Sequence, residues 1–235
     1  MIDKLLEEIK SRGYWRINFR PITYTQRIPN LATCHELVAK NSVEKRGWDY
    51  PHVPQKQDTD TGIARRQNHV EGWVDWSGYK EIWRMYESGQ FIHYKAMKDD
   101  WRQLDERTTW NRRPSGDWIS PIDLNWHISE VFEFLSRLRN DIYADGVQIS
   151  IEMYKTSGRE LWMNDPSRVP FSRPKICAAE EIKYSKSLSP LEIQNQRVES
   201  VKAIQMIYDR FNWNPTDEMV EGLQNELYQF SERRR

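Results

Sequence analysis

Apolar residues recur along the chain at two periods, and each change of period marks a predicted element. Ile2, Leu5, Leu6 and Ile9 fall at helical spacing, and Gly13 ends that helix. From Tyr14 to Arg20 the period drops to two. Trp15, Ile17 and Phe19 share one side, Arg16, Asn18 and Arg20 the other, and Pro21 limits the strand. A short helix is predicted after Pro29-Asn30, with Cys34, Leu37 and Val38 inward, followed by an extended aromatic stretch from Val43 to Val53. Residues 54–68 hold almost no apolar side chain and read as a mobile loop. Rings then arrive in quick succession, with Phe91 to Met97 as a strand and Ser88-Gly89 as its turn, so a hairpin or small sheet is expected. Residues 102–120 are again polar and read as a second long loop.

The clearest helix begins at Ser120-Pro121, where serine can cap the first free amides and proline sacrifices no hydrogen bond. Leu124, Ile128, Val131, Leu135, Leu138 and Ile142 give it one continuous buried stripe, closed by Asp145-Gly146. Val147, Ile149, Ile151 and Met153 next alternate with Gln148, Ser150, Glu152 and Tyr154, a strand with one buried face and a turn near Ser157-Gly158. Ile176 to Tyr184 is extended. Ser189-Pro190-Leu191-Glu192 is a capping box, and its helix is expected to run to about Trp213 with Leu191, Val198, Val201, Ile204, Tyr208 and Phe211 inward. A last helix, capped by Thr216, puts Val220, Leu223, Leu227 and Phe230 on one side. Half-buried strands among amphipathic helices predict an α+β fold with a mixed or mainly antiparallel sheet. One domain over residues 1–235 is expected, with 102–120 as the candidate place for a subdivision.

Charge narrows the partners. Thirty-five basic and 35 acidic residues cancel, so the whole chain carries no long-range attraction for nucleic acid or anionic lipid. Two cysteines far apart, Cys34 and Cys177, suit a reducing compartment. With no leader-like apolar core and no run of 18 apolar residues, a cytoplasmic protein without membrane contact is expected.

The strong catalytic signatures are absent from the sequence: no phosphate loop, GxGxxG, GxSxG, HExxH or CxxC occurs. His69-Val70-Glu71 matches half of a zinc deaminase signature but lacks its Pro-Cys-x-x-Cys. His35, His52, His69, His93 and His127 are scattered rather than set at ligand spacing, so neither a metal nor a cofactor is expected. Glu152, Asp165, Glu181 and Lys183 could supply carboxylates for magnesium and a lysine to steady an attacking water, as in a metal-dependent nuclease. A charged, solvated strand face has the same pattern. Arg65, Arg66, Arg102, Arg107, Arg112 and Arg113 lie in the polar stretches beside Trp101, Trp110 and Trp118, a composition suited to phosphates and unpaired bases. Interspersed acids weaken that field and suit a protein interface equally.

Seven of the eleven tryptophans fall between residues 73 and 126, a density that predicts some at an accessible contact face. Trp48, Asp49, His52, Trp73, Trp76, Trp101, Arg112 and Arg113 are therefore the candidate binding residues. At Arg12-Gly13-Tyr14-Trp15, Arg46 to His52 (RGWDYPH) and Trp83 to Phe91, the chain resembles a group of uncharacterised bacterial tryptophan-rich proteins over most of its length. That resemblance implies a bacterial cytosolic origin and a shared fold, and carries no activity with it. The expectation is a non-catalytic binding or assembly protein that docks a protein partner; the alternative is a nucleic-acid-binding or nuclease-like protein.

Overall fold

In the computed structural model the described residues are 2–23, 27–101 and 118–232, the side chains of 230–232 excepted. The chain opens with α1 (Ile2–Ser11), β1 (Tyr14–Pro21) and α2 (Leu31–Asn41). Next come β2 (Val43–Glu44), β3 (Asp49–Tyr50), β4 (Thr61–Arg65), β5 (His69–Trp76), β6 (Tyr79–Tyr86) and β7 (Phe91–Ala96). A single 3-10 turn at Lys98–Asp100 precedes β8 (Trp118–Ile119) and the long helix α3 (Pro121–Ile142). Strands β9 (Val147–Tyr154), β10 (Glu160–Leu161), β11 (Lys175–Ile176) and β12 (Glu181–Leu188) follow, then α4 (Pro190–Gln194), α5 (Gln196–Asp209) and α6 (Asp217–Glu232).

Seven strands form one antiparallel sheet in the order β12-β9-β1-β7-β6-β5-β4. With its packed helices this is an α+β fold. Because side chains alternate across a strand, the register assigns each residue to a face. On one face three cross-strand rows lie side by side. Phe19, Phe91, Met85 and Val70 make an apolar row; Ile17, His93, Trp83 and Gly72 make a mixed one; Trp15, Lys95, Glu81 and Val74 make a row with two charges. Gly72 is needed where it is, since a Cβ there would sit 2.4 Å from the Trp83 indole.

Helix α3 covers that face and is itself packed by α2, α4, α5 and α6. Ser120 caps it, accepting from the Asp123 amide at 3.2 Å, and its predicted stripe from Leu124 to Ile142 is buried throughout. Helix α1 covers part of the opposite face through Ile2, Leu5 and Ile9, which pack with Trp73, Ile82 and Ala96. No helix among the described residues is long and apolar enough to cross a membrane.

Three expectations need correction. Residues 61–65, read as part of a mobile loop, are the edge strand β4, with Thr61 and Gly62 buried against Trp73. An edge strand needs only its backbone ladder, so its side chains can look like those of a loop. The helix expected to run unbroken from Ser189 breaks at Asn195, whose ψ of 39° leaves the helical range. Leu191 and Val198 consequently point outward, 67% and 54% exposed, while Ile193 takes the inward place. Trp118 and Ile119, placed in a loop, pair as β8 with β10; the rest of that polar stretch, 102–117, lies outside the described residues.

Candidate functional site

Where the charged row of the sheet meets the first turns of α3, the packing leaves a cleft of about 270 Å³. Trp15, Glu81 and Lys95 form its floor, while Asp123, His127 and Glu130 project from α3 at helical spacing. The third wall is the Arg46 to His52 segment, fastened from both ends. The Trp83 indole N–H donates to the His52 carbonyl at 2.7 Å, and the His52 amide donates to Glu81 Oε1 at 3.0 Å. Arg46 forks onto Glu130, with Nε–Oε1 at 2.9 Å and Nη2–Oε2 at 2.6 Å, and reaches Asp123 at 3.2 Å. Tyr50, almost fully buried, sits edge-on to His93 and His127, with ring centroids 5.2 and 5.3 Å away.

The charges in this region are unequal. Burial pushes the Glu81 carboxyl up, but the neighbouring His93, Lys95 and His52 outweigh it and hold Glu81 at about 2, so it is ionised at neutral pH. His93 Nε2 approaches Glu81 Oε2 at 3.3 Å, off the angle for a hydrogen bond, and Lys95 lies 3.9 Å from the same oxygen. Burial first, then Lys95, His93 and Arg46, drive His127 well below the ordinary histidine range, so its ring is neutral. Neither nitrogen of His127 has a hydrogen-bond partner among the described residues, nor has the Tyr50 hydroxyl. Burial and the carboxylates of Glu81 and Glu130 keep that phenol protonated.

At the mouth, Trp48 stacks on His52 and on Tyr79, with centroids 4.2 and 5.2 Å apart, and meets Trp76 edge-on. Burial opposes charge on His52, but its bond to Asp49 outweighs this and raises its pKa. A second, more open hollow of about 610 Å³ lies on the far side of Trp48, lined in part by His52, Asp58, Thr61 and Trp76. Its bonded groups, such as Asp58 with the Thr61 amide at 2.9 Å, already have partners.

Of the candidate binding residues, Trp48, Asp49, His52 and Trp76 therefore converge at this mouth. Trp73 is buried beneath α1, and Trp101 packs under the Arg12 guanidinium at 4.3 Å. Arg112 and Arg113 lie outside the described residues. The nuclease-like set divides. Glu152 and Lys183 meet at 3.5 Å on the α1 face, but Glu152 also binds Arg16 at 2.9 Å, Tyr154 at 2.6 Å and Ser150 at 2.7 Å. Glu181 is exposed opposite Tyr154, and Asp165 is engaged by Ser167 and Arg168. Among the described residues no group of three or more His, Cys, Asp or Glu is placed to hold a metal ion. Glu71 of the His69-Val70-Glu71 motif is tied to Arg66 and Arg84.

Sequence reasoning missed Glu81, Lys95, His127 and Glu130. The signal was present: Glu81 shares a strand face with Trp83 and Met85, Lys95 shares one with Phe91 and His93, and His127 adjoins an apolar stripe. Searches of protein-family models, curated proteins and solved structures find no match to this chain.

Proposed function

We propose that this is a binding protein whose ligand is a small polar molecule held in the cleft between the sheet and α3. One observation carries the reading: His127 and Tyr50 line one cleft and hold three polar atoms, each closed off from solvent and without a hydrogen-bond partner among the described residues. Each such atom costs about 1–3 kcal/mol when left unpaired, and leucine or phenylalanine would fill the same space without that cost. A bound molecule that draws these side chains towards it, donating and accepting, explains why polar groups occupy these positions. The cleft also has the mixture expected of a small-molecule site, aromatic walls with a few convergent polar groups.

The test is made on the ligand-free protein. His127→Leu and Tyr50→Phe are expected to unfold in urea at the same or higher concentration than the parent. Loss of more than about 1 kcal/mol in both variants would mean that the polar atoms serve the fold, and the reading would fall.

Docking of a protein partner is a second reading, supported by the rim: Trp76 is 37% and Tyr79 40% exposed beside Trp48. Replacing Trp76 and Tyr79 together by serine should then abolish a complex that His127→Leu leaves intact. The buried free thiols of Cys34 and Cys177 support a reducing, cytoplasmic setting.

A further inference from the structure

We infer that the cleft takes a small organic acid through a single carboxylate, held by the ammonium groups of Lys95 and Lys98. The inference rests on the cleft being a ligand site and adds the charge and class of the ligand. Both lysines line the cleft, and neither is held by a close partner among the described residues. Lys95 stands on the α3 side of the sheet, between Trp15 and Glu81 in their cross-strand row, and its side chain is only 20% exposed. Its nearest carboxylate oxygen, Glu81 Oε2, is 3.9 Å away, beyond hydrogen-bond reach, and the Tyr50 ring centroid lies at 5.9 Å. Lys98 follows in the 3-10 turn, with the Tyr79 ring at 5.6 Å. The other cations of the lining differ. Lys80 is bound by Glu8 and Asp75, and Arg46 by Glu130 and Asp123. An ammonium group has three donors and no acceptor, so two half-sheltered ammonium groups call for an incoming acceptor. A carboxylate has two oxygens to offer them, and its charge strengthens each bond.

The acids around the cleft set the charge of that ligand. Glu130 is forked by Arg46, Asp49 accepts from the Val53 amide at 2.9 Å and binds His52, and Asp99 has a partner too. Glu81 accepts from the His52 amide at 3.0 Å. These carboxylates are already engaged, which leaves little to attract a cation. Lys95 and Lys98 beside the ionised Glu81 carry one surplus positive charge, which one carboxylate neutralises. Arg46 between Glu130 and Asp123 leaves one surplus negative charge on the α3 wall, and Asp123 there is 38% exposed and screened by solvent. A dianion such as phosphate would meet both Glu81 and that wall with twice the repulsion of a monoanion. A neutral molecule would give the two ammonium groups no charged acceptor. The volume of about 270 Å³ lies at the low end of ligand pockets and suits an acid with a short body.

Calorimetry on the full chain with acetate, lactate, pyruvate and benzoate, set against lactamide, benzamide, glucose, succinate and phosphate, tests this. At least one monocarboxylate should bind with a Kd below about 1 mM, and its neutral amide about tenfold more weakly. Lys95→Met and Lys98→Ala should each weaken the acid at least about fivefold, whereas Lys202→Ala on α5, with the same change of charge, should leave it within about twofold. Lys98 lies at a turn, so its variant keeps the test sound if Lys95→Met fails to fold. Binding that neither lysine variant weakens overturns the inference, as does tighter binding of phosphate, succinate or a neutral compound; the last three leave the cleft as a ligand site. Absence of binding by every acid also overturns the inference alone, provided His127→Leu and Tyr50→Phe are as stable as the parent. Destabilisation of both those variants removes the ligand site itself.

Discussion

On the α1 face of the sheet, Glu152 is buried and each of its oxygens has two partners: Ser150 and Lys183 on one, Arg16 and Tyr154 on the other. On the α3 face, equally buried His127 and Tyr50 have none for their polar atoms among the described residues. The two faces of one sheet are therefore packed against two kinds of buried polarity. The first resembles the Asp100–Arg159 pair, where Asp100 also accepts from the Gly13 amide at 2.7 Å and every oxygen is used. Saturated groups of this kind hold strands and loops in place. The rings of His127 and Tyr50 pack in the core while their polar atoms are unpaired among the described residues; other buried polar atoms, such as Arg16 Nε, share that state, and what sets these two apart is that both residues line the α3 cleft.

The comparison can be broken at several points. The largest effect is expected from Asp100→Ala, which removes the carboxylate paired with the buried Arg159 guanidinium; a loss of about 3–5 kcal/mol should appear in urea titration. Glu152→Gln should cost about 2 kcal/mol, because it weakens charged hydrogen bonds from Arg16 and Tyr154. Lys183→Ala, at an exposed partner of the same carboxylate, should change stability by less than about 0.5 kcal/mol. His127→Leu should have the opposite sign, a gain of up to about 1 kcal/mol at pH 7. If the variants on the two faces cost the same, the distinction between them is lost.

Acid sharpens the contrast. His127 and His93 have lowered folded pKa values, so the unfolded chain takes up protons that the buried rings refuse. Their contribution is complete above the unfolded value of about 6.5 and is lost as pH falls below it. Glu81, at about 2, adds a further loss below its ordinary range, from about pH 4.5 downward. Thermal melts between pH 7 and 5 should therefore show a shallower decline for His127→Leu than for the parent. His52 works the other way, and its effect should be the smallest. Its raised pKa gives stability present below about 6.5 and lost as pH rises through the folded value, so His52→Gln should flatten the alkaline side of the same profile.

Much of the architecture was legible wherever local chemistry and tertiary packing agree. The Ser120 cap and stripe of α3, the Ser189–Glu192 capping box and the alternation of β1 are formed as expected, whereas β9, expected to bury one face, buries Ser150 and Glu152 of the other as well, where cross-strand partners satisfy the Glu152 carboxylate. Strand β4 was not legible, because pairing at an edge uses backbone groups that every residue has. The break at Asn195 was not legible either, since Leu191 and Val198 continue the apolar period up to the point where packing on α3 and β12 turns the chain. At the site, Trp48, Asp49 and His52 stood out as a local cluster, whereas Glu81 and His127 are ordinary residues until the fold brings them together.

Periodicity and capping chemistry determined the helices, most strands and the α+β class, since those depend on neighbours a few residues away. Which polar groups would be saturated was decided only by the register of β1, β7 and β6 and by how α3 lies across them. Hydrogen-bond satisfaction is a property of distances across the fold, and a local pattern does not contain it. Glu152 and His127 are both polar residues beside apolar runs in the sequence, and only the tertiary structure surrounds the one with partners and buries the other beside a cleft with none among the described residues.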